Sequence, residues 1–276
     1  MIWGTQKRDF RLTLVLHGRQ LVSFRRPKEM PSRKQERRLH GSSGWIFSGF
    51  FGMFVMLLIS PAGRVEAVTW LYLTRHGQTE WNVENRFQGS SDSPLTEKGV
   101  RQAEYLAERL RGISFDAVYS SPAGRALRTA EILCGDRDVA IREHPDLREM
   151  ELGDWEGMRS EEIEVRFPEE FDRYWRKPHL YRRERGESYI DVQRRVVSSM
   201  GEILRSHPGG NVLIVTHTVV LKTLMAHFEG RPLERLWDPP YIHPACLNLV
   251  RVGEGKREIL LHGDIAHFPE EWRARA

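Results

Sequence analysis

From residue 68 onward, short apolar runs alternate with stretches of helical periodicity, and this alternation constrains the fold more than any other feature of the chain. Val68-Thr69-Trp70-Leu71-Tyr72-Leu73 reads as a buried strand. After Thr96, a candidate N-cap, the apolar residues Val100, Ala103, Leu106, Ala107 and Leu110 recur at helical spacing, and Gly112 ends the run. Phe115–Ser120 reads as a second strand. Ser121-Pro122 reads as the opening of a helix through about Leu133, because Ser is favoured at the cap and Pro in the first turn. Val139–Arg142 is a short strand candidate, and residues 159–185 read as short helices and loops. Ser188–Ser206 reads as a longer helix with Ile190, Val192, Val196, Val197, Met200 and Leu204 as its apolar positions. Asn211-Val212-Leu213-Ile214-Val215-Thr216 is the clearest central strand, and a helix from about Val219 to Phe228 follows it. Cys246–Val252 and Arg257–His262 pair as late strands across Gly253-Glu254-Gly255-Lys256. The β-α alternation predicts an α/β fold over residues 68–276: a single three-layer domain with a mainly parallel central sheet flanked by helices.

Residues 1–67 do not read as part of that domain. Of the chain's 42 Lys+Arg and 38 Asp+Glu, they hold 12 and 4, which leaves 30 and 34 in residues 68–276. The body is therefore net −4 although the whole chain is +4, and nucleic-acid binding by the body loses its main electrostatic support. Residues 25–43 are rich in Arg, Lys and Ser. The apolar run at residues 45–60 ends at Pro61 and is shorter than the about 20 residues of a spanning helix. It matches a signal-peptide core or a short anchor with positive charge upstream, and Val65-Glu66-Ala67 faintly resembles a cleavage site. A misassigned start is the third reading, with Met53, Val65 or Val68 as the true one. Membrane contact is expected only if residues 45–60 form a genuine anchor. Leu16-His17-Gly18 lies in this segment and takes no role. Cys134 and Cys246 show no metal spacing and read as buried free thiols, which fits a reducing, cytoplasmic compartment. The alternatives, set by the N-terminal segment, are a membrane-anchored or an exported protein.

Polar residues sit where the strands end. The first strand runs into Arg75-His76-Gly77. Arg offers a phosphate two parallel charge-assisted hydrogen bonds, His is the side chain most easily neutral near pH 7, and Gly lets the chain turn and a ligand approach. The second strand leads to Arg125, and the strand at 211–216 leads to His217. Ligands of open α/β sheets bind at the carboxyl ends of the strands, so Arg75, His76, Arg125 and His217 are candidates for one phosphate pocket. Helix N-termini after two of these strands add partial positive charge. No acidic cluster has metal-ligand spacing, and no metal or cofactor is expected.

Arg75-His76-Gly77, the run Ser120-Ser121-Pro122-Ala123-Gly124-Arg125-Ala126-Leu127-Arg128-Thr129-Ala130, and Val215-Thr216-His217 together resemble the histidine phosphatase superfamily, in its phosphoglycerate-mutase-like branch. Further matches occur in the same order at Phe87-Gln88-Gly89, Asp92-Ser93-Pro94-Leu95-Thr96, Leu147-Arg148-Glu149, Leu152–Gly157 and Gly186-Glu187-Ser188. The resemblance implies that His76 is the nucleophile and becomes phosphohistidine, that Arg75, Arg125 and His217 line the phosphate, and that Glu149 is the general acid. Glu143, Glu151 and Glu156 lie near enough in sequence to compete with Glu149. The resemblance also places Asn82, Gln88 and Gly89 against phosphate or substrate. Thr218 stands where many relatives carry Gly, which bears on pocket shape and substrate.

The implied activity is metal-independent hydrolysis of small phosphomonoesters, with a small phosphorylated metabolite as the partner. A cofactor-dependent phosphoglycerate mutase is the main alternative, and a non-catalytic phosphate-binding module is a third. Familiar mutases carry a longer insert after the acid, and the Asp92–Thr96 run looks more phosphatase-like. Arg159, Arg166, Arg173, Arg176, Lys177, Arg182, Arg183 and Arg185 read either as an electropositive lid or as a mixed-charge surface balanced by the acids between them. Trp155, Phe171, Tyr174, Trp175 and Tyr181 read as core packing or as a roof over the pocket. Oligomeric state is not legible in the sequence.

Overall fold

The computed structural model describes residues 67–274. The readings of residues 1–66, including the apolar run at 45–60 and Leu16-His17-Gly18, lie outside the described residues. In chain order the elements are β1 (Thr69–Arg75), α1 (Glu80–Val83), α2 (Glu97–Arg109), β2 (Ala117–Ser120), α3 (Gly124–Cys134) and β3 (Ile141–Glu143). They continue with α4 (Ser160–Arg166), α5 (Pro168–Arg176), α6 (Tyr189–Ser206), β4 (Asn211–Thr216), α7 (Thr218–Glu229), β5 (Leu247–Gly253), β6 (Lys256–Asp264) and α8 (Glu270–Arg273).

The six strands form one sheet in the order β3-β2-β4-β1-β5-β6. Strands β3, β2, β4 and β1 pair in parallel, whereas β5 runs antiparallel to both β1 and β6. The mainly parallel sheet expected from the β-α alternation is present, with the late hairpin supplying its antiparallel edge.

Side-chain alternation explains the continuous apolar runs of β1 and β4. Leu71, Leu73, Val212 and Ile214 face one core with residues of α6 and α7, including Val192, Val196, Leu221 and Leu224. Tyr72, Leu213 and Val215 face a second core with Leu106 of α2 and Ala126, Ala130 and Leu133 of α3. A strand covered on both faces has no solvent-facing positions left for polar residues. Each fully buried Leu, Ile or Val contributes about 1.5–3 kcal/mol relative to exposure. The result is the three-layer arrangement, helices on both faces of the sheet.

Helix boundaries follow their caps in most places. The Thr96 hydroxyl accepts from Gly99 N at 3.0 Å, as the N-cap reading of α2 requires. Ser188 and Asp191 form a reciprocal capping box at α6. Gly230 closes α7 in the left-handed region, at φ +66. One cap differs: α3 begins at Gly124 with Ala123 as its N-cap and no side-chain cap bond, not at Ser121-Pro122. Ser121 Oγ is instead 2.7 Å from His217 Nε2, so its hydroxyl serves the site. Strand β2 starts at Ala117 and β3 at Ile141, two residues later than the apolar pattern predicts in each case, where cross-strand pairing begins. On α6 the buried face is Tyr189, Val192, Val196, Ser199, Met200 and Ile203, while Ile190, Val197 and Leu204 are half-buried.

Candidate active site

The register of β1 against β4 pairs Arg75 with Thr216, so the next residues, His76 and His217, leave the sheet side by side. Their rings lie 5.2 Å apart between centroids. Ser121 follows β2 on the other side of β4 and donates its backbone N–H to Val215 O at 3.0 Å. Three adjacent parallel strands thus deliver their first loop residues to one place.

His76 is buried, and its Nδ1 lies 2.8 Å from the carbonyl oxygen of Gly77. A carbonyl only accepts, so Nδ1 carries the proton and Nε2 keeps its lone pair. Burial holds the imidazole well below the usual histidine range, and the charges of Arg75 and Arg125 push the same way. His217 is depressed for the same first reason, then by Arg125, His76 and Arg75. Both rings are therefore neutral near pH 7.

Arg75 donates from Nη1 to Ile242 O at 3.0 Å. Arg125 is anchored from three sides: Nη1 donates to Ser91 O at 2.9 Å and to Asp92 Oδ1 at 2.8 Å, and Nη2 donates to Gly89 O at 2.8 Å. Three buried nitrogens in this group have no protein hydrogen-bond partner among the described residues: Arg75 Nε, Arg125 Nε and His217 Nδ1. Leaving such groups unpaired costs about 1–3 kcal/mol each, more when charged, so their clustering beside an unprotonated imidazole nitrogen marks a site for an oxygen-rich anion.

Glu149 separates itself from its rivals by environment. Its Oε1 accepts from Met150 N at 2.9 Å, and its Oε2 accepts from Val219 N at 3.2 Å in the first turn of α7. Burial raises its pKa against those two amides and the charges of Arg125 and Arg195. Glu156 goes the other way. Burial pushes it up, but the hydroxyl of Ser91 and the amides of Ser90, Ser91 and Leu152 outweigh that and lower it. Glu143 and Glu151 are exposed. The two carboxylates are pushed in opposite directions, and of the pair Glu149 is the one whose environment favours holding a proton.

A cavity of about 1140 Å³ lies over this group. Arg75, His76, Asn82, Gln88, Glu149 and Thr218 line it; Arg125, His217 and Gly89 are not among its lining residues. Asn82 Oδ1 accepts from Thr79 N at 3.1 Å in the cap of α1, which leaves its amide NH₂ as the group on offer. Gln88 is committed at both ends, accepting from Thr79 Oγ1 and donating to Ser93 Oγ, each at 3.0 Å. Gly89 is tightly enclosed: a Cβ there would stand 2.5 Å from Glu156 Oε1 and 2.7 Å from Met150 O. Thr218 is the half-buried first residue of α7. Gly77 makes room for protein more than for ligand, because a Cβ there would stand 2.4 Å from the carbonyl oxygen of Gly99.

The arginines of residues 159–185 do not line the cavity. Arg173 pairs with Glu169, Arg176 and Lys177 pair with Asp172, Arg185 pairs with Asp154, and Arg183 stacks over Trp155. The mixed-charge reading of that segment is the one the structure supports. The aromatic residues divide: Trp155 and Tyr181 are core, Tyr174 belongs to the same core and also lines the cavity, and Trp175 lines it too.

The sequence reading missed Lys222, Trp237, Tyr241 and His243, which also line it. Lys222 had a visible signal, a lone charge inside the apolar helix Val219–Met225. Its Nζ donates to Asp238 O at 2.7 Å and Pro240 O at 2.8 Å, and burial lowers its pKa to about 8. Among the described residues, no group of three or more His, Cys, Asp or Glu side chains is placed to hold a metal ion, and no helix is long and apolar enough to cross a membrane. Cys134 and Cys246 are free and buried.

Residues 71–265 match the histidine phosphatase superfamily (branch 1). The chain belongs to this superfamily. It is 34% identical over 167 residues to phosphoserine phosphatase 1 of Hydrogenobacter thermophilus, covering 60% of this chain and 79% of the relative. It is 35% identical over 167 residues to the probable phosphoglycerate mutase GpmB of Cronobacter sakazakii, covering 59% and 75%. Among solved structures it is similar to Bacillus stearothermophilus YhfR, at 49% identity and a TM-score of 0.71, covering 72% of this chain and 98% of that one. As a member of the histidine phosphatase superfamily the chain is an enzyme, a phosphoric monoester hydrolase.

Proposed function

We propose that this histidine phosphatase hydrolyses small phosphomonoesters in two steps through phosphohistidine on His76. The observation that carries the reading is the trio of unpaired buried nitrogens, Arg75 Nε, Arg125 Nε and His217 Nδ1, on residues that neighbour the His76 ring. A phosphoryl group satisfies all three and places phosphorus against the lone pair.

In the first step Nε2 of His76 attacks phosphorus and the P–O ester bond breaks. The proton of Glu149 goes to the departing oxygen, which leaves as an alcohol. In the second step water attacks the phosphohistidine, its proton passes to the Glu149 carboxylate, and phosphate leaves with His76 restored. Arg75, Arg125 and His217 hold the non-bridging oxygens as charge redistributes. Fixed donors of this kind, aimed at developing charge, usually lower the barrier of such transfers more than any other single effect. Asn82 and Thr218 border the bound ester, and Gly89 acts through Arg125. Gln88 is expected to shape the pocket through Thr79 and Ser93.

Acid-labile phosphate on the wild-type protein, absent from His76→Ala, is the expected result. Equal hydrolysis of p-nitrophenyl phosphate by both proteins rules the His76 mechanism out; no hydrolysis by either leaves a phosphate-binding module. The similarity to a probable mutase motivates one rival assay: 3-phosphoglycerate with 2,3-bisphosphoglycerate yields free phosphate under this reading and 2-phosphoglycerate under the rival. A panel of phosphorylated metabolites then identifies the substrate. A cytoplasmic location goes with this reading, supported by the two free thiols, and cell fractionation tests it.

A further inference from the structure

Arg195 on α6 uses every donor of its guanidinium. Nε and Nη2 donate to the two carboxylate oxygens of Glu187 at 2.7 and 2.8 Å. Nη1 donates to Asp146 O at 2.6 Å and to Arg148 O at 2.8 Å, and Nη2 also donates to Glu149 O at 3.1 Å. Glu187 then accepts from Glu151 N at 3.1 Å and from Arg148 Nη2 at 3.1 Å. The carbonyl this set leaves out, Leu147 O, accepts from Thr216 Oγ1 at 2.7 Å, one residue before His217. Every backbone carbonyl from 146 to 149, and the amide of 151, is thereby held.

We propose that the Arg195–Glu187 pair is a positioning clamp for Glu149, fixing the height and angle at which its carboxyl meets the departing ester oxygen. The inference rests on the general-acid role given to Glu149 above. The pair's side chains are only 10% and 12% exposed, so solvent competes little for these bonds. A flexible loop would not serve: proton transfer requires hydrogen-bond reach to the leaving oxygen, and small displacements cost rate steeply. Charge compensation matters as well. Arg195 lowers the pKa of Glu149, and Glu187 offsets that charge at the point where it arises. Lysine at position 195 keeps the charge but has too few donors, in the wrong geometry, for the carbonyls and the carboxylate together.

The test is a double-variant cycle read on two esters. p-Nitrophenolate leaves without a proton, whereas the alkoxide of β-glycerophosphate needs one. Arg195→Lys is expected to lower kcat for β-glycerophosphate by about 10- to 100-fold, a part of the roughly 10²- to 10⁴-fold that a general acid supplies. Its p-nitrophenolate burst, which reports phosphorylation of His76, should change by less than about threefold. In a Glu149→Gln background the same substitution should cost less than about twofold, since the group it positions is gone. An undiminished penalty in that background, or a burst that falls as far as the alkyl ester, overturns the clamp and leaves the acid in place. If Glu149→Gln by itself leaves β-glycerophosphate turnover intact, the general-acid reading falls and takes the clamp with it. Should Arg195→Lys fail to fold, Glu187→Gln enters the same cycle, because it weakens the pair while Arg195 keeps its carbonyls.

Discussion

The Nδ1–H of His76 donates to the carbonyl oxygen of Gly77 at 2.8 Å, and this one bond decides which nitrogen of the ring keeps its lone pair. The acceptor is backbone, one residue away and buried, so the tautomer does not depend on a second titrating side chain. Burial first, and then the neighbouring cations, keep that tautomer neutral, since protonation of Nε2 would place a desolvated charge beside Arg75 and Arg125.

The first prediction concerns the site of phosphorylation. The intermediate should carry phosphorus on Nε2 of His76, identified by its ³¹P and ¹⁵N chemical shifts in a protein trapped at low temperature. His76→Asn should lower kcat by on the order of 10⁴-fold or more, as removal of a nucleophile does elsewhere. Phosphorus on Nδ1 contradicts the hydrogen bond to Gly77.

Arg125 is a second point of attack. Lysine there retains a charge but cannot reach Ser91, Asp92 and Gly89 together while presenting a further donor. Arg125→Lys should lower kcat/KM by about 10²-fold, the usual cost of losing one oxyanion donor, and weaken orthovanadate binding in titration calorimetry. Unchanged vanadate affinity would remove Arg125 from the phosphate site.

The pKa directions give a pH dependence. Phosphoryl transfer from an alkyl ester needs His76 neutral and Glu149 protonated. The rate should fall toward acid as His76 gains its proton below the usual range, and toward base as Glu149 loses its proton above the usual carboxyl range. Glu149→Gln should abolish the basic limb in kcat/KM profiles; its persistence assigns that limb to another group.

Stability should follow the same protons. Unfolded histidines bind protons below about pH 6.5, whereas native His76 and His217 stay neutral to lower pH. The unfolded state then holds more protons, so stability falls as pH falls through that window. Glu149 acts oppositely: its native value is raised, so stability falls as the pH rises from the ordinary carboxyl range through that native value. In urea melts, His76→Asn should lose less stability between pH 7 and pH 5 than the wild type. An equal loss places the acid sensitivity elsewhere.

Gly77 and Gly99 give a prediction about folding. A Cβ on Gly77 would stand 2.4 Å from Gly99 O, and one on Gly99 would stand 2.0 Å from Gln78 O. Both neighbours are backbone and cannot rotate away. Gly77→Ala and Gly99→Ala should each destabilise by about 1–3 kcal/mol, the range for overpacking, measured as a lower melting temperature. A melting temperature within error of the wild type would mean that the loop after β1 yields to α2.

Much of the fold was legible because its signals are local. The two-sided burial of β4 wrote itself into Asn211–Thr216 as an unbroken apolar run, and the caps at Thr96 and Ser188 stand at their helices. The cap expected at Ser121 failed because a residue 96 positions away, His217, shares its hydroxyl. No local pattern records such a partner. The same limit hid Arg195, which in sequence is one more charge on an amphipathic helix.

Residue order alone specified the strand ends: which residues leave the sheet, in what order, and with what chemistry. That was enough to name Arg75, His76, Arg125 and His217, and the ordered motifs added Glu149 through the resemblance to one superfamily. The protonation and pairing of those groups came from folding. It distinguished Glu149 from Glu156 by burying one carboxyl and giving the other four hydrogen-bond donors, so that their proton affinities move in opposite directions. It also set the His76 tautomer through Gly77 and left three nitrogens unpaired for an anion. The physical reason is that residue type and spacing specify which atoms are available. Desolvation, hydrogen-bond partnership and charge proximity, which set proton affinity, depend on distances that exist only once the chain has folded.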